Sequence, residues 1–227
     1  MATHLDLEEQ EQLDQLKAFW KQYGNLITWA ITLVLAGFAA WNGWTWWQRD
    51  QAVKAAAMYE ELDRALQAGD ADKAGRVFGD LKERYPKTTY TAQAAMQAAK
   101  LQYDKGQAEA ARASLAWAAD NAADDEYREL ARLRLAGLQM EAKQFAEAAK
   151  TLDAIKLPEF TALQADRRGD LWVLQAKPEL ARAEYQKAYA AMNSKQDYRR
   201  LIEAKLATLG VASVEAAASA AANGAAK

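Results

Sequence analysis

In the run "QADRRGDLW" two carboxylates, Asp166 and Asp170, stand four residues apart, the spacing that brings two side chains to one face of a helix. A pair of that kind can divide acid and base duties in a proton transfer or a hydrolysis. Arg167 and Arg168 lie between them, and the competing reading is a solvated, ion-paired helix surface. The letters "RRGD" suggest an adhesion motif, yet they fall inside a helical pattern with Gly169 at a helix-crossing position. A second acidic group, Asp124, Asp125 and Glu126, offers oxygen ligands to a hard cation. Three consecutive acids at a helix start more often meet free amides and the favourable end of the helix dipole, and that reading is adopted.

Subtraction removes most other chemistry. The one histidine is His4, near the beginning of the chain, and there is no cysteine. Disulfides, thiolate metal sites and cysteine nucleophiles are therefore excluded, while an oxidising compartment stays open. No glycine-rich phosphate loop and no Gly-x-Ser-x-Gly turn occurs. The reading is a protein that is not an enzyme, with no cofactor and no metal. Lys and Arg number 29 against 31 Asp and Glu, so no basic surface offers itself to a phosphate backbone and nucleic-acid binding is not expected.

The elements that position these residues begin with "TWAITLVLAGFAAWNGWTWW", 20 residues without a charge, five of them tryptophan. Residues 23–47 are long enough, at about 1.5 Å per helical residue, to cross a bilayer core of about 30 Å. Trp20 and Tyr23 stand at one end and Trp41, Trp44, Trp46 and Trp47 at the other. Amphipathic rings prefer the headgroup layer, so these six are assigned to the membrane interface. A cleaved export signal would begin basic and carry a shorter apolar run, whereas this chain begins with Asp6, Glu8, Glu9, Glu11 and Asp14. Charge does not orient the span, since Lys17 and Lys21 precede it and Arg49, Lys54 and Arg64 follow. A mean hydropathy of -0.39 argues against further spans.

Beyond the span a figure repeats. "GDADKAGRVFGDLKERYP" places Ala74, Phe78 and Leu81 after a turn glycine and before a proline, the second half of a tetratricopeptide repeat. Ala111 and Leu115, Ala148 and Leu152, and Ala181 and Tyr185 take the same places. The four alanines fall 37, 37 and 33 residues apart, near the ~34 of that repeat. Gly169 and Trp172 supply the small and aromatic positions of a first helix. Antiparallel helices approach closely only where a small residue sits at the crossing, and one pair buries its apolar face only when the next stacks on it.

The fold class expected is all-α: a single N-terminal transmembrane helix followed by a tetratricopeptide-like solenoid of helical hairpins. Residues 1–22 form an acidic leader, 23–47 the span, 51–209 the repeat domain, and 210–227 a low-complexity tail. The hairpins are expected at 51–84, 88–121, 124–155 and 160–192, with Thr88 or Thr89 and the 124–126 acids as helix starts. Repeat arithmetic puts a concave, partner-binding face on the first helix of each pair. It comprises Met96, Lys100 and Tyr103, then Leu133, Gly137 and Met140, then Asp166, Asp170 and Val173. Methionine and tyrosine suit adaptable apolar recognition; the alternative is that some of these residues pack inside.

An acidic leader, "LKAFWKQYGN" running into one span, "WWQRDQ", "AAAMYEEL" and "LDAIKLPEFTALQADRRGDLWVLQAKPELARAEYQKA" together resemble the YfgM family of ancillary translocon subunits, over nearly the whole chain to about residue 208. The turn "QAKPEL" departs from the usual glycine at 176. The resemblance implies a single-pass protein of the bacterial inner membrane with a cytoplasmic N-terminus and a periplasmic repeat domain. It implies partnership with the SecYEG channel and the chaperone PpiD in passing translocating envelope proteins to periplasmic chaperones. It brings no catalytic residues. A membrane-anchored scaffold of another envelope-assembly complex is the competing function.

Overall fold

The computed structural model describes residues 7–192 and 197–211. His4 and the tail from residue 212 onward lie outside the described residues. Two compact units divide the chain, Met1–Gln51 and Ala52–Lys227.

The first helix, α1 (Leu7–Gln67), contributes its residues 7–51 to the first unit. It is long and apolar enough to cross a membrane, and only 6% of its apolar window is buried. A core helix of a soluble protein would bury most of that window. Trp20, Tyr23, Trp41, Trp44, Trp46 and Trp47 are all exposed, and Trp44 stacks at a tilt on Trp47 with centroids 5.3 Å apart. The polar side chains of the run 28–47 turn back onto their own helix. Thr28 donates to the Gly24 carbonyl at 2.8 Å, Thr32 to Thr28 at 2.8 Å, Asn42 to Phe38 at 2.8 Å and Thr45 to Asn42 at 3.0 Å. A segment in hydrocarbon must satisfy its polar groups internally, and these threonine and asparagine side chains meet that demand.

The second unit is all-helical among its described residues. Residues 52–67 of α1 pair with α2 (Ala71–Arg84), α3 (Thr89–Asp104) with α4 (Ala108–Asn121), and α5 (Asp125–Glu141) with α6 (Phe145–Asp153). A 3-10 turn at Pro158–Phe160 leads into α7 (Thr161–Leu174), which pairs with α8 (Pro178–Ala191), and α9 (Tyr198–Thr208) follows. The expected hairpins and solenoid are present. The third hairpin is shorter than expected: α6 ends at Asp153, and the backbone N–H of Lys156 donates to the Glu129 carboxylate at 3.0 Å instead of continuing a helix.

Three apolar cores follow one another along the described residues. The first joins α1 to α5, the second α5 to α7 around Leu152 and Leu171, and the third α7 to α9 around Tyr185 and Ile202. Ala74, Ala111, Ala148 and Ala181 are all fully buried, with Phe78, Leu115, Leu152 and Tyr185 buried beside them. Phe78 meets Trp117 edge to face at 5.4 Å, tying the second helices of the first two pairs.

Each first helix, and α9 after them, is followed by a residue in the left-handed conformation. Gly69, Gly106, Lys143, Ala176 and Gly210 have φ of 64°, 79°, 60°, 56° and 79°. In each case the next N–H reaches back five residues: Asp70 to Ala65, Gln107 to Gln102, Gln144 to Gln139, Lys177 to Trp172, and Val211 to Leu206. This is the capping figure that glycine favours. Lys143 and Ala176 hold it at a cost, which explains how the third and fourth turns keep their form without glycine.

Candidate functional site

The first helices α3 and α5 run side by side, bridged at both ends. Thr89 donates to Asp124 at 2.8 Å and Gln93 to Tyr127 at 2.8 Å near their starts, and Tyr103 donates to Glu141 at 2.6 Å near their ends. The Asp124 carboxylate therefore secures the preceding repeat and makes no side-chain bond to its own helix start, while Asp125 pairs with Arg128. Contact with Glu141 raises the Tyr103 phenol above its ordinary range.

Between these bridges lies a groove of about 390 Å³. Met96, Ala99, Leu115, Leu133 and Leu138 give it an apolar floor, and Lys100, Tyr103, Arg134, Glu141 and Arg167 line it with polar groups. Gly137 also lines it, and a Cβ added there would meet nothing within 4 Å. The structure thus brings Met96, Lys100, Tyr103, Leu133 and Gly137 to one surface. Tyr103 is 42% exposed, whereas Met96 and Leu133 show only edges to solvent. Met140 does not line the groove; it is 5% exposed and packs in the core with Ala148, Leu152 and Leu171. Val173 is exposed but does not line the groove.

Asp166 and Asp170 are not the solvated surface pair of the sequence reading. Asp166 is fully buried. Lys205 of α9 donates to Asp166 at 2.7 Å and to Asp170 at 2.6 Å. Tyr198 donates to Asp166 at 2.8 Å and Tyr185 to Asp170 at 2.7 Å, with Arg167 3.3 Å from the other Asp170 oxygen. Burial first, then the hydrogen bond to Asp166, pushes the Tyr198 phenol up to about 12; burial and Asp170 push Tyr185 upward as well. Every carboxylate oxygen is engaged, so the cluster clamps α9 to α7 and α8 rather than presenting a free base.

A family model described as the tetratricopeptide repeat-like domain matches residues 17–211. The chain belongs to that family. Curated relatives cover most of the chain: a Neisseria gonorrhoeae protein is 28% identical over 213 residues, 92% of this chain and 100% of its own length. A Haemophilus influenzae protein is 29% identical over 80% of this chain and 89% of its own, and an Escherichia coli protein 29% identical over 78% and 85%. All three are named ancillary SecYEG translocon subunits. The resemblance to the YfgM family is borne out.

Within this tetratricopeptide repeat-like domain, the groove residues missed from sequence obey its period. Arg134 and Arg167 each lie nine residues before their repeat's left-handed turn residue, Lys143 and Ala176. Gln102 and Gln139 likewise accept from Ser114 at 2.9 Å and Thr151 at 2.8 Å, one repeat apart. Aligning the repeats on the turn would have found both sets. The buried Glu129 and its partner Arg132 follow no such period. Arg132 meets Glu129 at 2.9 Å and donates to the carbonyls of Ala119 and Ala154 at 3.1 and 3.2 Å, capping the ends of α4 and α6 at once.

Proposed function

We propose that this protein is an ancillary subunit of the Sec translocon, held in the bacterial inner membrane by α1 with its N-terminus cytoplasmic and its repeat domain periplasmic. The observation that carries this reading is the extent of the relatives: a protein named ancillary SecYEG translocon subunit matches 92% of the chain, enough to take in anchor and repeats together, and others of the same name match 78–80% of it. An anchored solenoid raises the effective concentration of its inner surface beside each emerging chain, so contacts as weak as about millimolar are populated without a tight site. The partners are the SecYEG channel, the chaperone PpiD and translocating envelope proteins, with the groove of α3 and α5 as the contact surface and hand-off to periplasmic chaperones as the outcome.

The test is purification of the tagged chain in mild detergent, with identification of what accompanies it. Recovery of SecYEG and PpiD is expected; recovery of another envelope-assembly complex without the channel overturns the reading. Protease access in spheroplasts is expected to degrade the repeat domain and spare the leader.

A further inference from the structure

The groove between α3 and α5 carries more chemistry than apolar adaptability. Its floor is apolar, and three of its four charged residues are cationic: Lys100, Arg134 and Arg167 against Glu141. The one acid is already engaged by the Tyr103 hydroxyl at 2.6 Å. Lys100 is held by Asp104 in an exposed pair, and Arg167 shares Asp170 with Lys205 and Tyr185. Arg134 is exposed and, among the described residues, makes no hydrogen bond or ion pair. A guanidinium fork beside an apolar floor matches a carboxylate placed next to a bulky apolar side chain.

We infer that this groove takes a protein segment in which carboxylates adjoin large apolar residues, a choice that rests on the proposal that the groove is the partner surface. Apolar side chains fill the space above Gly137, and a flanking Asp or Glu pairs with Arg134, while Lys100 and Arg167 extend the favourable field. A basic segment meets like charge. A neutral apolar segment covers Arg134 without giving it a partner, which is costly.

The test uses the full chain in nanodiscs of neutral lipid and three fluorescein-labelled peptides of equal length. One alternates Leu and Phe with Asp and Glu, the second carries Lys for each acid, and the third carries Ser for each Leu and Phe. Anisotropy titration is expected to show the first binding about tenfold or more tighter than either control. Arg134→Glu reverses the preference between acidic and basic peptides. Gly137→Leu abolishes binding of all three while keeping the melting temperature, because leucine is a better helix former than glycine and its Cβ meets no neighbour. Equal binding of acidic and basic peptides, no binding of any, or an Arg134→Glu chain with unchanged preference overturns the inference. Recovery of the Sec channel with the unmutated chain is measured in parallel. If the channel is recovered and the peptide preference fails, the inference alone falls; if the channel is not recovered, the proposed function falls and the titrations still judge the groove.

Discussion

The ring of Tyr185 occupies the space where Gly169 lacks a side chain. A Cβ at that glycine would lie 2.3 Å from Cε1 and 2.4 Å from Cδ1 of the tyrosine, far inside any van der Waals contact. The fourth pair, α7 and α8, closes through this contact. Gly169→Ala is therefore expected to destabilise the repeat domain by about 1–3 kcal/mol despite its gain in helix propensity. Thermal unfolding followed by circular dichroism measures the loss, and pairing the substitution with Tyr185→Leu is expected to recover part of it.

Lys205 holds two carboxylates, one of them fully buried. Lys205→Met leaves the buried Asp166 without a cation while Asp170 keeps Arg167, and removing one partner of such a buried pair costs about 3 kcal/mol. Adding Asp166→Asn to that variant removes the stranded charge, so the double variant is expected to unfold at higher denaturant than Lys205→Met alone. A double variant no better than the single would show that Asp166 gains nothing from Lys205.

The turn at Ala176 points the other way. Its φ of 56° is a conformation that L side chains enter at a cost and glycine does not. Ala176→Gly is expected to raise stability by about 0.5–1 kcal/mol, and Gly106→Ala to lower it by a similar or larger amount. Urea midpoints of the two variants, moving in opposite directions, check the prediction.

The phenols of the α7–α9 clamp make stability fall at alkaline pH. An unfolded tyrosine ionises near ~10, whereas Tyr198 is held up to about 12 and Tyr185 is also raised. Their contribution is fully present below pH ~10 and is lost as pH rises through the folded values, for Tyr198 across about 10 to 12. Phenolate absorbance of the folded chain is expected to leave late-titrating tyrosines, and Tyr198→Phe to remove the step near 12 and flatten the accompanying loss of stability.

Sequence made the span and the repeats legible because both are written in short periods. An uncharged run edged with tryptophan needs only local composition, and Ala74 with Phe78 needs only one turn of helix. What stayed hidden depends on residues far apart in the chain. Asp166 looked solvated because its neighbours Arg167 and Arg168 are adjacent in sequence; its true partner, Lys205, lies 39 residues away on α9. Asp124 looked like a cap for its own helix, yet its bond goes to Thr89, 35 residues earlier. Met140 sat in register with the inner face but turned into the core of α5 to α7, since a first helix must feed both its own pair and the next. Arg134 and Arg167 could have been matched by period, but nothing local marks an arginine as lining a groove.

The left-handed residue at Gly210 has one more consequence. In the four earlier repeats the same bend is followed immediately by a second helix, and after α9 it hands the chain on in the same geometry at Val211. Residues 210–211 are thus a natural splice point for protein engineering: an additional helical pair can be joined directly after Val211 without inventing a new connector.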